Sequence, residues 1–262
     1  MKFYLIFHLN IFFSSISEKQ RKEVINKCYW PLLMLVSNQK IPISIELTGL
    51  TLEIINKLDK KFIKKLKELI KEGFVTLIGS GYAQIIGPLI QKNINQDNLK
   101  VGKKIYKKLL DDNPKIALVN EQAFSKGLIK IYKDAGFEKI IIESNNFFSI
   151  NKNFNDKLKY NPQYLSDDYN NLIEVIWNDS TMFQQFQRFI HGEFSENKYL
   201  SFIKNYIKNQ KGYLSLYGND VEIFNFRPGR HKEEKKIIND EWKKIENFLL
   251  KISKRYEIIN IN

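Results

Sequence analysis

The chain of 262 residues holds one cysteine, Cys28. That excludes a disulfide scaffold and any zinc or iron–sulfur site built from several thiolates. Histidine is nearly as scarce. His8, His191 and His231 lie far apart, so neither a histidine-rich cage nor an HxxxH-type pair is present, and no metal or other cofactor is expected. Long apolar runs are missing too. Nothing approaches the ~18 consecutive apolar residues of a membrane span. Met1-Lys2 followed by Phe3–Phe7 has the look of a secretory leader. His8 and Asn10 interrupt it and no small-x-small cleavage site follows, so the segment reads as a buried strand and a cytoplasmic location is expected. There is no G-x-S-x-G elbow, and Cys28 lies in an apolar helical context beside Tyr29 and Trp30, which leaves serine or cysteine nucleophilic catalysis without support. Gly79 and Gly81 lack the rest of a dinucleotide fingerprint and read as a tight turn.

Hydrophobic residues make up 43% and charged residues 27% of the chain, the range of a globular protein able to bury a core. Its length exceeds a typical domain, but single α/β barrels of roughly 250 residues are common. Lysine and arginine number 42 against 29 acidic residues, a net charge of +13. Such a balance raises the possibility of a polyanion partner. The lysines, however, scatter along helical stretches such as Lys60, Lys61, Lys64, Lys65 and Lys67, where they form a solvated face. No RNP, zinc-finger or helix-turn-helix signature is present, and no nucleic-acid partner is expected. The sequence leaves the oligomeric state open.

Short apolar runs alternate with helical periodicity. Seven strand-like runs stand out: Phe3–Phe7, Pro42–Glu46, Phe74–Ile78, Ile116–Val119, Lys139–Ile142, Leu172–Trp177 and Tyr213–Tyr217. Between them the patterning predicts helices over Ser17–Leu35, Thr51–Glu72, Asn98–Leu110, Phe124–Ala135 and Tyr199–Gln210, with a last helix over Glu233–Lys254. The Asn-rich stretch Ser144–Asn171 reads as a long loop. Apolar strands separated by helices imply parallel strands covered on both faces, and a nearly closed β/α barrel satisfies that pattern. The division expected is a barrel over 1–230 and a short helical extension over 231–262.

Catalytic groups of β/α barrels lie just past the C-terminal ends of the strands. The polar residues at those positions are His8 and Asn10, Glu46 and Thr48, Tyr82 and Gln84, Glu121, Glu143 and Asn145, Asn178 and Asp179, and Asp220 and Glu222. One rim thus gathers several carboxylates with few cations. Glycosidic-bond chemistry needs such a set, one carboxylate acting as nucleophile or base and one carboxylic acid protonating the leaving oxygen. Carboxylates at strand ends also cap the helices that follow, a competing role for each taken singly. Asp220 and Glu222 are two apart, so a strand continuing through both would turn them to one side, where an ionised Glu222 raises the pKa of Asp220. Arg188 and His191, after the sixth run, could orient substrate hydroxyls or an anionic group. Arg227 and Arg230 flank a turn and could bind an anion or pair with Asp220 or Glu222.

The stretches Phe7-His8-Leu9-Asn10, Leu77-Ile78-Gly79-Ser80-Gly81-Tyr82, Pro88-Leu89-Ile90, Val119-Asn120-Glu121-Gln122-Ala123-Phe124 and Gly218-Asn219-Asp220-Val221-Glu222-Ile223-Phe224, in that order, resemble the N-terminal catalytic region of family 57 glycoside hydrolases. The resemblance runs from about Phe3 to about Arg230. It implies an α/β fold, an incomplete (β/α)7 barrel with a short C-terminal helical extension, and a retaining glycoside hydrolase or transglycosylase acting on α-glucan or a related polysaccharide. By it, Glu121 matches the nucleophile, Asp220 the general acid/base and His8 a sugar-binding histidine. Asn10, Tyr82, Gln84, Glu222, Arg188 and His191 complete the expected substrate-binding set.

The sequence also departs from the family. Asn10 replaces the second histidine of the first motif, Leu118 stands where a tryptophan precedes the nucleophile, and the second motif reads Tyr82-Ala83-Gln84. Family members continue well past the acid/base motif into a helical region, for which Glu233–Lys254 stands in here. A catalytically reduced barrel that binds saccharide or a partner in polysaccharide metabolism is the second reading. A metal-dependent deacetylase and a basic polyanion-binding protein are weaker ones.

Overall fold

A computed structural model describes residues 1–229 and 240–261. The boundary expected at 230/231, Arg230, His231 and the start of the last predicted helix lie outside them. The strands are β1 (Lys2–His8), β2 (Ile43–Glu46), β3 (Val75–Gly79), β4 (Ile116–Leu118), β5 (Lys139–Glu143), β6 (Gln163–Ser166), β7 (Leu172–Asn178), β8 (Tyr213–Asp220) and β9 (Glu257–Ile258). Seven of them run parallel in the order β7-β5-β4-β3-β2-β1-β8. These are the seven apolar runs. β6 pairs antiparallel with β7, and β9 adds to the start of β1. β7 and β8 end the row without pairing, so the barrel is incomplete. Asn178 bridges the gap, its Nδ2 donating to the Gly218 carbonyl at 2.8 Å while its Oδ1 accepts from Ser215 Oγ at 3.1 Å.

Both faces of the strands are buried, as a parallel sheet under helices requires. On β1, Tyr4 and Ile6 point inward and meet Ile78, Ile116, Leu118 and Ile141. Phe3, Leu5 and Phe7 point outward into a large cluster shared with the helices. The helix Glu241–Ile252 buries Trp242, Ile245, Phe248, Leu249 and Ile252 in that same cluster. Each such side chain contributes roughly 1.5–3 kcal/mol when wholly removed from water.

Several helices differ from the sequence reading. The predicted helix over Thr51–Glu72 is two, Gly49–Leu58 and Lys60–Lys71. Asp59 breaks it with φ −152°, its carboxylate capping the amides of Lys61 and Phe62 and accepting from Trp30 Nε1 at 2.8 Å. An aspartate in that geometry stabilises a helix start more than a helix interior. Over Ser17–Leu35 the chain passes through a π-helical turn, Ile25–Tyr29, before the α-helix Trp30–Gln39. The stretch expected to be loop contains the helix Ser144–Ile150 and the edge strand β6. The helix is capped by the Glu143 side chain rather than announced by periodicity.

Candidate active site

The parallel register puts three titratable groups in one row at the C-terminal rim. His8 of β1 is level with Glu46 of β2 on one side and with Asp220 of β8 on the other. A bulge in β8 makes this row possible. Tyr4 pairs with Ser215, but Leu5 pairs with Tyr217, so Leu216 is the extra residue. One inserted residue reverses the facing of everything after it, and it turns Gly218 and Asp220 inward beside Ile6 and His8. Gly218 is required there, because a Cβ would lie 1.9 Å from Asn178 Oδ1.

His8 Nδ1 lies 3.1 Å from Glu46 Oε2, both side chains buried, and the other Glu46 oxygen accepts from Ser80 Oγ. Burial alone would lower the His8 pKa. The hydrogen bond and charge of Glu46, the charge of Asp220 and the Gly218 carbonyl outweigh it, and the net direction is up. Asp220 is half-buried, and among the described residues nothing hydrogen-bonds its carboxylate. Burial pushes its pKa up, His8 pulls it down, and Glu46 and Glu121 push it up again, to about 6.

Glu121 follows β4 and faces the same cleft. Its backbone lies in the left-handed region at φ 53°, and Gln122 follows at φ 56°. Two such residues that are not glycine cost about 1–3 kcal/mol each, strain that concentrates at functional sites. Asn120 anchors the turn by donating from Nδ2 to the Ser80 carbonyl at 3.1 Å. The Glu121 carboxylate is exposed and accepts from Gln84 Nε2 at 2.5 Å.

The cleft between them measures about 420 Å³ and is lined by His8, Asn10, Gln84, Glu121 and Asp220 of the expected site residues. Its volume fits a small part of a larger ligand. The other four expected residues lie elsewhere. Tyr82 donates its hydroxyl to Glu53 at 3.2 Å, away from the cleft lining. Arg188 pairs with Glu193 at 2.6 Å on the surface. His191 is half-buried, 4.0 Å from Glu241 and beside the Phe224 ring. Glu222 is wholly buried behind the rim. The strand does not continue through it. β8 stops at Asp220 and a 3-10 turn, Val221–Ile223, swings Glu222 into the core. Arg227 pairs with Glu241 rather than with Asp220 or Glu222. Arg230 lies outside the described residues.

Two further strand-end carboxylates are caps. Glu143 accepts from the amides of Asn145, Asn146 and Ser180 at 2.9, 2.5 and 3.1 Å. Asp179 caps Met182 at 3.0 Å and pairs with Lys159 at 3.1 Å. The lining also includes Asn146, Phe183 and Gln184, which the strand-end filter passed over. Phe183 and Gln184 belong to the first two turns of the helix Ser180–Ile190, where only a helix assignment after β7 would have pointed to them. Among the described residues no group of three or more histidine, cysteine or acidic side chains could hold a metal ion. No described helix is long and apolar enough to cross a membrane.

Two acidic side chains, Glu121 and Asp220, thus face one rim cleft of an open seven-stranded parallel barrel. The profile of "Glycosyl hydrolase family 57" matches residues 6–259, and the chain belongs to that family. It is 22% identical over 233 residues to "Alpha-amylase 1" of Dictyoglomus thermophilum, covering 88% of this chain and 32% of that protein. The 4-alpha-glucanotransferase of Thermococcus litoralis superposes with a TM-score of 0.75 at 17% identity, over 99% of this chain and 37% of its own. The GH57-type branching enzyme of Pyrococcus horikoshii superposes with a TM-score of 0.70 at 14% identity, over 99% and 69%. The chain spans about a third of the length of the alpha-amylases it matches.

Proposed function

We propose that the chain is a retaining glycoside hydrolase or transglycosylase acting on α-glucan or a related polysaccharide, with Glu121 as nucleophile and Asp220 as general acid/base. One observation carries the assignment of roles. Two carboxyl groups share a cleft but differ in environment, Glu121 exposed and Asp220 half-buried with its pKa pushed up to about 6. Environments that separate two carboxyl groups in this way divide an acid from a nucleophile. The relatives named as an alpha-amylase, a 4-alpha-glucanotransferase and a branching enzyme support an α-linked glucose polymer as the substrate class.

In this reading, the Glu121 carboxylate attacks the anomeric carbon while Asp220 protonates the departing glycosidic oxygen. A glycosyl ester forms on Glu121. Asp220, now ionised, takes the proton of a water or of an acceptor sugar hydroxyl as that oxygen displaces the ester. Gln84 orients the nucleophile through its 2.5 Å hydrogen bond. His8, held by Glu46, lines the cleft level with Asp220 and is placed to bind a sugar hydroxyl. Among the described residues of the cleft lining, Phe183 is the one phenylalanine, tyrosine or tryptophan. It takes the place of the stacking platform that Leu118 does not provide.

Turnover of a panel of starch, maltooligosaccharides and branched glucans tests the reading. Wild type should release or transfer sugar with retained configuration, and Asp220→Asn should lose roughly 10²–10⁴-fold in rate. An inverted product, or an Asp220→Asn chain as active as wild type, would overturn it.

A further inference from the structure

Glu222 was expected to meet substrate, and the structure gives it another place. Its side chain is fully buried. Oε1 accepts the Asn10 amide at 2.7 Å and the Tyr29 hydroxyl, while Oε2 is buried and, among the described residues, has no hydrogen-bond partner. Tyr29 is the last residue of the π-helical turn Ile25–Tyr29. Asn10 follows β1 and lines the cleft. Glu222 therefore joins three segments: the π-turn, the loop after β1, and the strand that ends in Asp220. π-turns of this kind recur at functional sites because the extra residue redirects one side chain.

Among the described residues, the charged and titratable groups around Glu222 include no cation, and Asp220 opposes a second negative charge there. Asp220 and Tyr217 come from β8 just before it, and Cys28 and Tyr29 from the π-turn. Arg227 donates its amide to the Glu222 carbonyl, but its guanidinium pairs with Glu241. Among the described residues no cation forms an ion pair with Glu222. A buried carboxylate without a counter-cation, next to another carboxylate, is costly enough that such a group retains its proton.

We infer that Glu222 is an uncharged positioning residue, a buried carboxylic acid that ties Asn10 and the Tyr29 turn to the segment bearing Asp220 and never touches the substrate. Burial and the charge of Asp220 push its pKa up to about 8, and the Tyr29 hydroxyl and the backbone amides pull in the opposite direction. Asp220 and Glu222 thus titrate as a coupled pair that holds one proton between about pH 6 and about pH 8. The inference rests on Asp220 being the acid/base, yet its test needs no turnover.

The experiment follows the side-chain carboxyl carbons by ¹³C NMR from pH 4 to pH 10 in wild type, Glu222→Gln and Tyr29→Phe. Wild type should show two coupled steps, near 6 and near 8. Glu222→Gln should lose the upper step and leave the lower one within about 0.3 of a unit, because glutamine mimics the neutral acid already present. Tyr29→Phe removes a hydrogen bond that favours the ionised form, so the upper step should move higher. A Glu222→Gln chain whose lower step falls by about a unit or more would mean that Glu222 is ionised alongside Asp220, and would overturn the inference. So would a single step below pH 6 for both groups in wild type. If Glu222→Gln does not fold, the wild-type titration decides alone: an upper step near 8 retains the inference, and its absence overturns it. Two steps in a chain that turns over no glycan would retain the inference and sink the proposed activity.

Discussion

Asp220→Asn should make the protein more stable at neutral pH and no more stable in acid. In the folded chain the Asp220 pKa rises from 3.8 to about 6, with burial the largest cause. Between those two values the folded state holds the proton more tightly than the unfolded state, so this group's contribution to stability declines as pH rises through the window. Above about pH 6 the full cost remains, and at ~1.4 kcal/mol per unit the shift corresponds to at most about 3 kcal/mol. Partial solvent access reduces that, and a gain of about 1–3 kcal/mol is the working range for removing the charge. For a chain of this size the gain corresponds to roughly 3–10 °C in Tm. Urea or thermal unfolding of wild type and Asp220→Asn at pH 7.5 and pH 4 reads it directly. The two proteins should differ at pH 7.5 and coincide near pH 4, where Asp220 is protonated in the fold. Equal stability at both values, or an Asp220→Asn chain weaker at pH 7.5, would refute the claim that the fold holds this carboxylate at a cost.

Three other substitutions probe the site. Gly218→Ala drives a Cβ into Asn178 Oδ1, 1.9 Å away across the seam between β7 and β8, and should cost about 1–3 kcal/mol in urea unfolding; a neutral result would show that the seam is loose. Gln84→Glu replaces a 2.5 Å donor to Glu121 with a second carboxylate, so the acid limb of the rate profile should rise by about a unit or more, and an unmoved limb would show that Gln84 does not contact the working nucleophile. Phe183→Ala removes the cleft's aromatic face and should weaken oligosaccharide binding by roughly 2–12-fold, as calorimetry would read, since an aromatic contact is worth about 0.5–1.5 kcal/mol.

The seven strands were legible because a parallel strand covered on both faces is a short, wholly apolar run, and Phe3–Phe7 and Lys139–Ile142 carry that signal without help from the rest of the chain. Their rim residues followed from the chain's own order. The break at Asp59 and the helix at Ser144 were harder, because each is set by a side chain folding back on local amides rather than by hydrophobic period. Glu222 was misplaced for a different reason. Alternation along a strand predicts facing only while the strand lasts, and here it ends at Asp220. The Leu216 bulge, which turns Asp220 inward, leaves no mark on composition. Arg188 and His191 shared a segment with the expected site, but helix geometry carried one to the surface and left the other half-buried beside Glu241.

Covalent trapping tests the central proposal most directly. Wild type and Glu121→Gln are incubated with an activated fluoro-glucoside, digested, and read by peptide mass spectrometry. The account predicts one added glycosyl mass on the peptide containing Glu121, absent from Glu121→Gln. An adduct on a different peptide, or turnover of the reagent with inverted configuration and no adduct, would contradict it.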